Sequence, residues 1–276
     1  MGLLRVVAVW VTSIIEFWSP FAYLSGGVIY PIMFRILLSQ VGFGWSTRIL
    51  GFVILGTSIV ILATLRVRVK SPKKRVLFDI RPFKEPPFTL FTFCFVFAFM
   101  GLYVPTFYIE SFAIDKGLVS EDLGAYVLPI LNAAGVFGRV LPNFFADKSG
   151  PLNILTPFLT LSGVMVFGWI GVTNTGGLIV IALLYGFFSG AILSLPPMVV
   201  VSLSPSLGVI GTRLGTICAV ASIGLLLGTP ISGAILGPTR NYTGLQAFAG
   251  VILIVAALFC AATRITKAGF ELHVKA

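Results

Sequence analysis

Few side chains in this chain are equipped for chemistry, and those that are stand in apolar surroundings. Asn132, Gly135 and Arg139 follow one another at intervals of three and four residues inside the apolar run 124–141. On a helix that spacing puts all three on one face, where Asn132 and Arg139 would line a common cavity. Arg35 and Glu110 lie towards the ends of two other apolar runs, and Asp147-Lys148 closes a short polar stretch after Arg139. An ionisable group within lipid is a functional candidate by default, because uncompensated burial costs at least about 2.5 kcal/mol. A plainer reading stands beside that one for Arg139 and Arg35, whose long side chains can reach the aqueous interface from near a run's end.

The other reactive residue types point away from catalysis. His273, the one histidine, lies close to the C-terminus, so no imidazole is available within the apolar runs for a zinc hydrolase, a Ser/His pair or a haem ligand. Ser189, in Gly186-Phe-Phe-Ser-Gly190, has no base to activate it and reads as part of a small-residue packing face. Cys94, Cys218 and Cys260 fall inside apolar runs without a CxxC pair, as small buried residues do. No phosphate-cradling GxxxxGK[ST] loop occurs. The expectation is therefore no catalytic site, no metal and no cofactor.

The elements that position these residues follow from composition. The 276 residues are 57% hydrophobic and 10% charged, with a mean hydropathy of +1.05. Water would not tolerate the apolar surface this implies, whereas a bilayer requires about 20 mostly apolar residues per crossing helix. Eight such runs are predicted, at 23–39, 49–65, 88–112, 124–141, 152–172, 177–201, 214–236 and 243–263. A ninth apolar stretch, 3–22, is interrupted by Arg5, Glu16 and Ser19-Pro20. No barrel-type alternation is present, so the spans are helices.

Orientation comes from charge. Arg66, Arg68, Lys70, Lys73, Lys74, Arg75, Arg81 and Lys84 are eight of the nineteen basic residues, opposed locally only by Asp79 and Glu85. Such a loop stays on the cytoplasmic side. The 113–123 loop, with Asp115, Glu121 and Asp122, then faces outward, and the tail with Arg264, Lys267 and Lys275 faces inward. Arg48 and Arg240 are lone exceptions outside, and Arg213 opens a span from the inside, where orientation alone accounts for it. The net charge of +10 is thus mostly topology, suited to contact with anionic lipid headgroups; the basic loop lacks the interleaved aromatics of a nucleic-acid surface. Asn241-Tyr-Thr is a glycosylation sequon on a predicted outer loop that hugs the membrane.

Small residues four apart mark helix packing seams in lipid, and Gly186/Gly190, Gly211/Gly215, Gly224/Gly228 and Gly233/Gly237 fit. Pro31, Pro105, Pro129, Pro196-Pro197 and Pro230 fall within spans, each expected to bend or weaken its helix.

The string Gly138-Arg139, then Ala146-Asp147-Lys148-Ser-Gly150-Pro151, resembles the loop between spans eight and nine of major facilitator transporters. Gly26-Gly-Val-Ile-Tyr-Pro-Ile-Met-Phe-Arg35, Gly42-Phe-Gly-Trp45 and Gly101-Leu-Tyr-Val-Pro-Thr-Phe-Tyr-Ile109 resemble the fungal monocarboxylate-porter-like branch, and the similarity runs over about 25–264. The resemblance implies an all-α polytopic membrane helix bundle of major-facilitator type with an incomplete N-terminal lobe, holding spans five to twelve. Its parts would be a divergent segment 1–22, a two-span remnant 23–65, a cytoplasmic basic connector 66–87, a six-span lobe 88–264 and a cytoplasmic tail 265–276.

The function implied is secondary transport of a small organic solute, a monocarboxylate or riboflavin, by rocking of one lobe against the other in the plasma or vacuolar membrane. Arg139, Asn132 and Arg35 are the expected substrate contacts, Arg139 for a carboxylate. Asp147, Lys148 and Glu110 are the expected gating residues. Where related porters carry an Asp four residues before the Arg, this chain has Gly135, which puts proton coupling through that pair in doubt. The alternative is a truncated, non-transporting membrane protein that associates with a full-length relative.

Overall fold

The computed structural model describes residues 25–64 and 81–269; the segment 1–22, most of the basic connector and His273 lie outside them. Seven helical stretches among the described residues are long and apolar enough to cross a membrane, and no strand occurs among them. A short π-helix, Ser25–Ile29, leads into α1, Tyr30–Thr64. A 3-10 turn at Arg81–Lys84 precedes α2 (Pro86–Asp115), α3 (Glu121–Ser149), α4 (Pro151–Ile170) and α5 (Thr175–Ser194). The short α6 (Pro196–Leu203) continues α5 as one apolar stretch, and α7 (Ile210–Leu236) and α8 (Tyr242–Ala268) complete the order.

The expected pair of spans at 23–39 and 49–65 is a single helical stretch broken only at Gly42, where φ is 73° and ψ is 170°. Glycine reaches this left-handed φ without a Cβ clash. The Ser46 hydroxyl donates to the Gly42 carbonyl at 2.7 Å and Thr47 donates to Phe43 at 2.9 Å. These bonds satisfy backbone around the break, so the polar residues read as a connection resume a helix instead. The second arm, 43–64, is almost wholly exposed; Phe52 and Leu62 keep 65% and 71% of their surface. A helix apolar on all sides is at home in lipid.

The ends of α2 to α8 are set by local chemistry. The helices that begin near Asp115 are capped by side chains. Ser120 accepts from the Leu123 amide at 3.3 Å, Asn174 from Gly177 at 2.7 Å and Asn241 from Gly244 at 3.0 Å. At the opposite, lower end α2, α4 and α6 start on prolines, whose missing amide is no loss in a first turn. The Pro196-Pro197 pair breaks the predicted run 177–201 at Leu195, whereas α2, α3 and α7 run unbroken through Pro105, Pro129 and Pro230.

The core has a lower half around Phe88, Phe91, Leu155 and Leu195, and an upper half around Ile109, Trp169, Tyr185 and Leu245. Two glycine seams set the helix spacing. A Cβ on Gly138 would fall 1.8 Å from the Phe187 carbonyl oxygen, one on Gly186 2.1 Å from that of Leu131, and one on Gly190 2.4 Å from that of Gly135, all along α3 and α5. On α7, a Cβ on Gly224 or Gly228 would fall 2.1 or 2.2 Å from the Val96 or Met100 carbonyl oxygen of α2. Gly186/Gly190 and Gly224/Gly228 are seams as expected, but the other two pairs are not. Gly215 faces open space, and Gly237 ends α7 with φ 52°.

Candidate functional site

The face of α3 that carries Asn132, Gly135 and Arg139 turns towards α2 and α5. These residues, with Tyr103 and Thr106 from α2 and Ser189 from α5, line a cavity of about 30 Å³. That is room for about one water molecule. The site is therefore narrow around its polar groups. Asn132 is buried, and its amide donates to the Gly27 carbonyl of the π-helix at 2.9 Å. Ser189 donates to the Gly186 carbonyl at 3.1 Å and Tyr185 to that of Leu102 at 2.5 Å, so hydroxyls near the cavity are held by backbone.

Arg35 and Glu110 are elsewhere. Both line a second, open cleft of about 450 Å³, between the first arm of α1 and the upper ends of α2 and α3, with Phe34, Ile114, Glu121 and Leu128. The Arg35 guanidinium donates to the Asp122 carbonyl at 2.7 Å, is ion-paired to the Asp122 carboxylate, and lies 5.7 Å from the centre of the Tyr126 ring. The structure thus brings Asn132 and Arg139 together, as their spacing predicts, and separates Arg35 from them. Asp147 and Lys148 are exposed in the last turn of α3, at the lower end.

Two charged clusters escaped the reading of the sequence. Arg213 is buried, not simply turned to the interface. Its guanidinium forms a two-pronged pair with Glu85 at 2.5 and 2.9 Å, donates to the Leu203 carbonyl at 2.7 Å, and lies 5.3 Å from the Phe88 ring. Planar, doubled hydrogen bonds of this kind are the strong ones. The pair joins the start of α2 to the start of α7, across 128 residues of sequence.

At the upper end Arg240 has an acidic partner that the sequence did not show. It pairs with Asp115, which also accepts from the Tyr242 hydroxyl. The hydrogen bond to Asp115 pushes the Arg240 pKa above its usual value. Arg240 adopts φ 51°, a left-handed conformation unusual for a residue with a side chain. The only signal for either cluster was an isolated acid at a helix end. Among the described residues no group of three or more His, Cys, Asp or Glu could hold a metal.

No protein-family model matches the chain. Curated proteins do. It is 45% identical over 233 residues to the MFS-type transporter dbaD of Emericella nidulans, covering 84% of this chain and 52% of the relative. The aspyridones efflux protein apdF of the same species is 35% identical over 231 residues, 83% of this chain and 47% of the relative. The agnestins efflux protein AgnL12 of Paecilomyces divaricatus is 34% identical over 246 residues, 87% and 55%. The chain spans about half the length of the curated relatives it matches. With its apolar helices and these relatives, the chain is a multi-pass integral membrane protein with an all-α bundle, related in sequence to fungal proteins named MFS-type transporters.

Proposed function

We propose that this chain serves in the export of a small organic metabolite bearing an acidic group, by alternating access, with the Arg139 cavity as its solute site in a closed state. The observation that carries this reading is a permanent cation one helical turn from Gly135 and two from Asn132, lining a small cavity inside an apolar bundle. That cation is a guanidinium, charged at any physiological pH. Its planar fork suits a carboxylate or enolate oxygen pair. Two relatives are named as efflux proteins, for aspyridones and for agnestins, which supports export of a small metabolite over uptake of a monocarboxylate or riboflavin.

The basic residues of the connector support a cytoplasmic lower end and an outward upper cleft. A second reading is supported by the arm 43–64, which described helices leave almost uncovered. In that reading the arm packs against a full-length transporter, and the two proteins co-purify.

The test is retention of a panel of fluorescent organic acids in cells expressing the chain. Arg139→Ala should abolish export at unchanged membrane abundance, and Arg139→Lys should retain part of it. Export unaffected by Arg139→Ala would reduce that residue to an interfacial anchor.

A further inference from the structure

The narrow cavity and the open cleft are lined by successive stretches of the same two helices, α2 and α3. On α2 the cavity is lined by Leu102, Tyr103 and Thr106 and the cleft by Glu110 and Ile114. From Tyr103 onward these residues advance by three or four, which keeps them on a single helix face. On α3 the cavity is lined by Arg139, Gly135, Asn132 and Leu131, and the cleft by Leu128, Ala125 and Glu121, again one face. From Arg139 to Glu121 this face is about 27 Å long at 1.5 Å per residue.

The cleft end has the first arm of α1 as its outer wall, and the cavity end is closed by α5. Between them the π-helix meets α3 at a polar contact, the Asn132 amide on the Gly27 carbonyl at 2.9 Å. The approach is close because residue 27 lacks a side chain: a Cβ there would come within 3.2 Å of the Asn132 Cγ.

We propose that Asn132 and Gly27 form the partition between two compartments of one solute path, the narrow cavity at Arg139 and the open cleft at Arg35 and Glu110. This rests on the solute-site reading above and gives Asn132 a positioning role. It holds the π-helix against α3, and solute passes when that contact parts. The Arg35–Asp122 ion pair, about 15 Å further along α3, fastens the same segment at the cleft's rim. An exposed pair of this kind contributes little on its own, so the buried amide contact is the element that seals.

Ser189 is the reporter, since it lines the cavity and serine to cysteine changes one atom. Ser189→Cys is introduced with Cys218→Ser, which removes the exposed thiol. A membrane-impermeant methanethiosulfonate is then applied to intact cells and, separately, to inside-out vesicles. With Asn132 intact, labelling of Cys at 189 should be slow from the face bearing Asp122. Asn132→Ala should raise that rate at least tenfold from that face only. Asn132→Gln, which keeps an amide donor, should stay closer to the parent.

If Asn132→Ala lowers abundance, Gly27→Val carries the test, by driving the segment off α3 with Asn132 unchanged. Labelling that stays slow in a well-expressed variant, or that rises equally from both faces, overturns the partition. Export is measured in the same cells. Failure of Arg139→Ala to affect export would overturn the solute site while leaving the labelling result standing.

Discussion

Gly138→Ala places a methyl carbon 1.8 Å from the Phe187 carbonyl oxygen. The obstacle is backbone, so no side-chain rotation relieves it. Restoring an ordinary contact of about 3.5 Å requires α3 and α5 to part by roughly 1.7 Å. In lipid the packing of such helices rests on dispersion and close contact, because the surrounding tails are as apolar as the interface. With on the order of 30 heavy-atom pairs across the seam at about 0.15 kcal/mol each, losing more than half costs about 3 kcal/mol. Alanine's better helix propensity offsets about 1 kcal/mol, for a net loss near 2 kcal/mol.

Gly215→Ala is the matched control, since Gly215 is exposed on α7 with no atom within 4 Å of its Cβ position. It keeps the propensity gain of up to about 1 kcal/mol without the clash. The two variants should therefore differ by about 3 kcal/mol, read as thermal unfolding in detergent followed by fluorescence-detected size exclusion. Equal stability of Gly138→Ala and Gly215→Ala would refute the seam.

Breaking the Glu85–Arg213 pair should destabilise the seven helices from α2 to α8. Glu85 keeps 49% of its side chain exposed, so Glu85→Gln should cost about 1–2 kcal/mol, less than the 3–5 expected of a fully buried pair. Arg213→Lys, which loses the two-pronged geometry, should fall between the parent and Arg213→Ala. Urea or thermal titration of purified protein measures both. At Arg240, glycine relieves the left-handed backbone that alanine leaves strained. Both substitutions remove the bond to Asp115, so Arg240→Gly should melt above Arg240→Ala; the reverse order would show that φ 51° carries no strain.

The spans were legible because about 20 consecutive apolar residues admit few other readings. The shared face of Asn132 and Arg139 was legible too, since it is fixed by helical periodicity within one element. Gly42 was harder. A glycine among Ser39, Gln40, Ser46 and Thr47 looks like a loop, and only the hydroxyl-to-carbonyl bonds of Ser46 and Thr47 reveal that helix resumes after one residue. The pairings of Arg213 and Arg240 were not legible for a different reason. Arg213 satisfies the orientation rule unaided, and for both residues partners 128 and 125 residues away leave no local trace. Arg35 shows the same limit, because its pairing with Asp122 depends on how α1 lies against α3. Spacing likewise proposed four glycine seams; which carbonyl opposes each glycine decided that two exist.

Those backbone contacts dictate where the bundle can yield. α3 and α5 touch main chain to main chain at three glycines, and α2 and α7 at two, so each couple must travel as one plank. Neither can widen internally without losing its whole run of close contacts. The crevice along α2 and α3, where the two couples meet, carries no such glycine contact among the described residues. The cavity at Arg139 and the cleft at Glu110 both border that crevice, where the couples can part without breaking either seam.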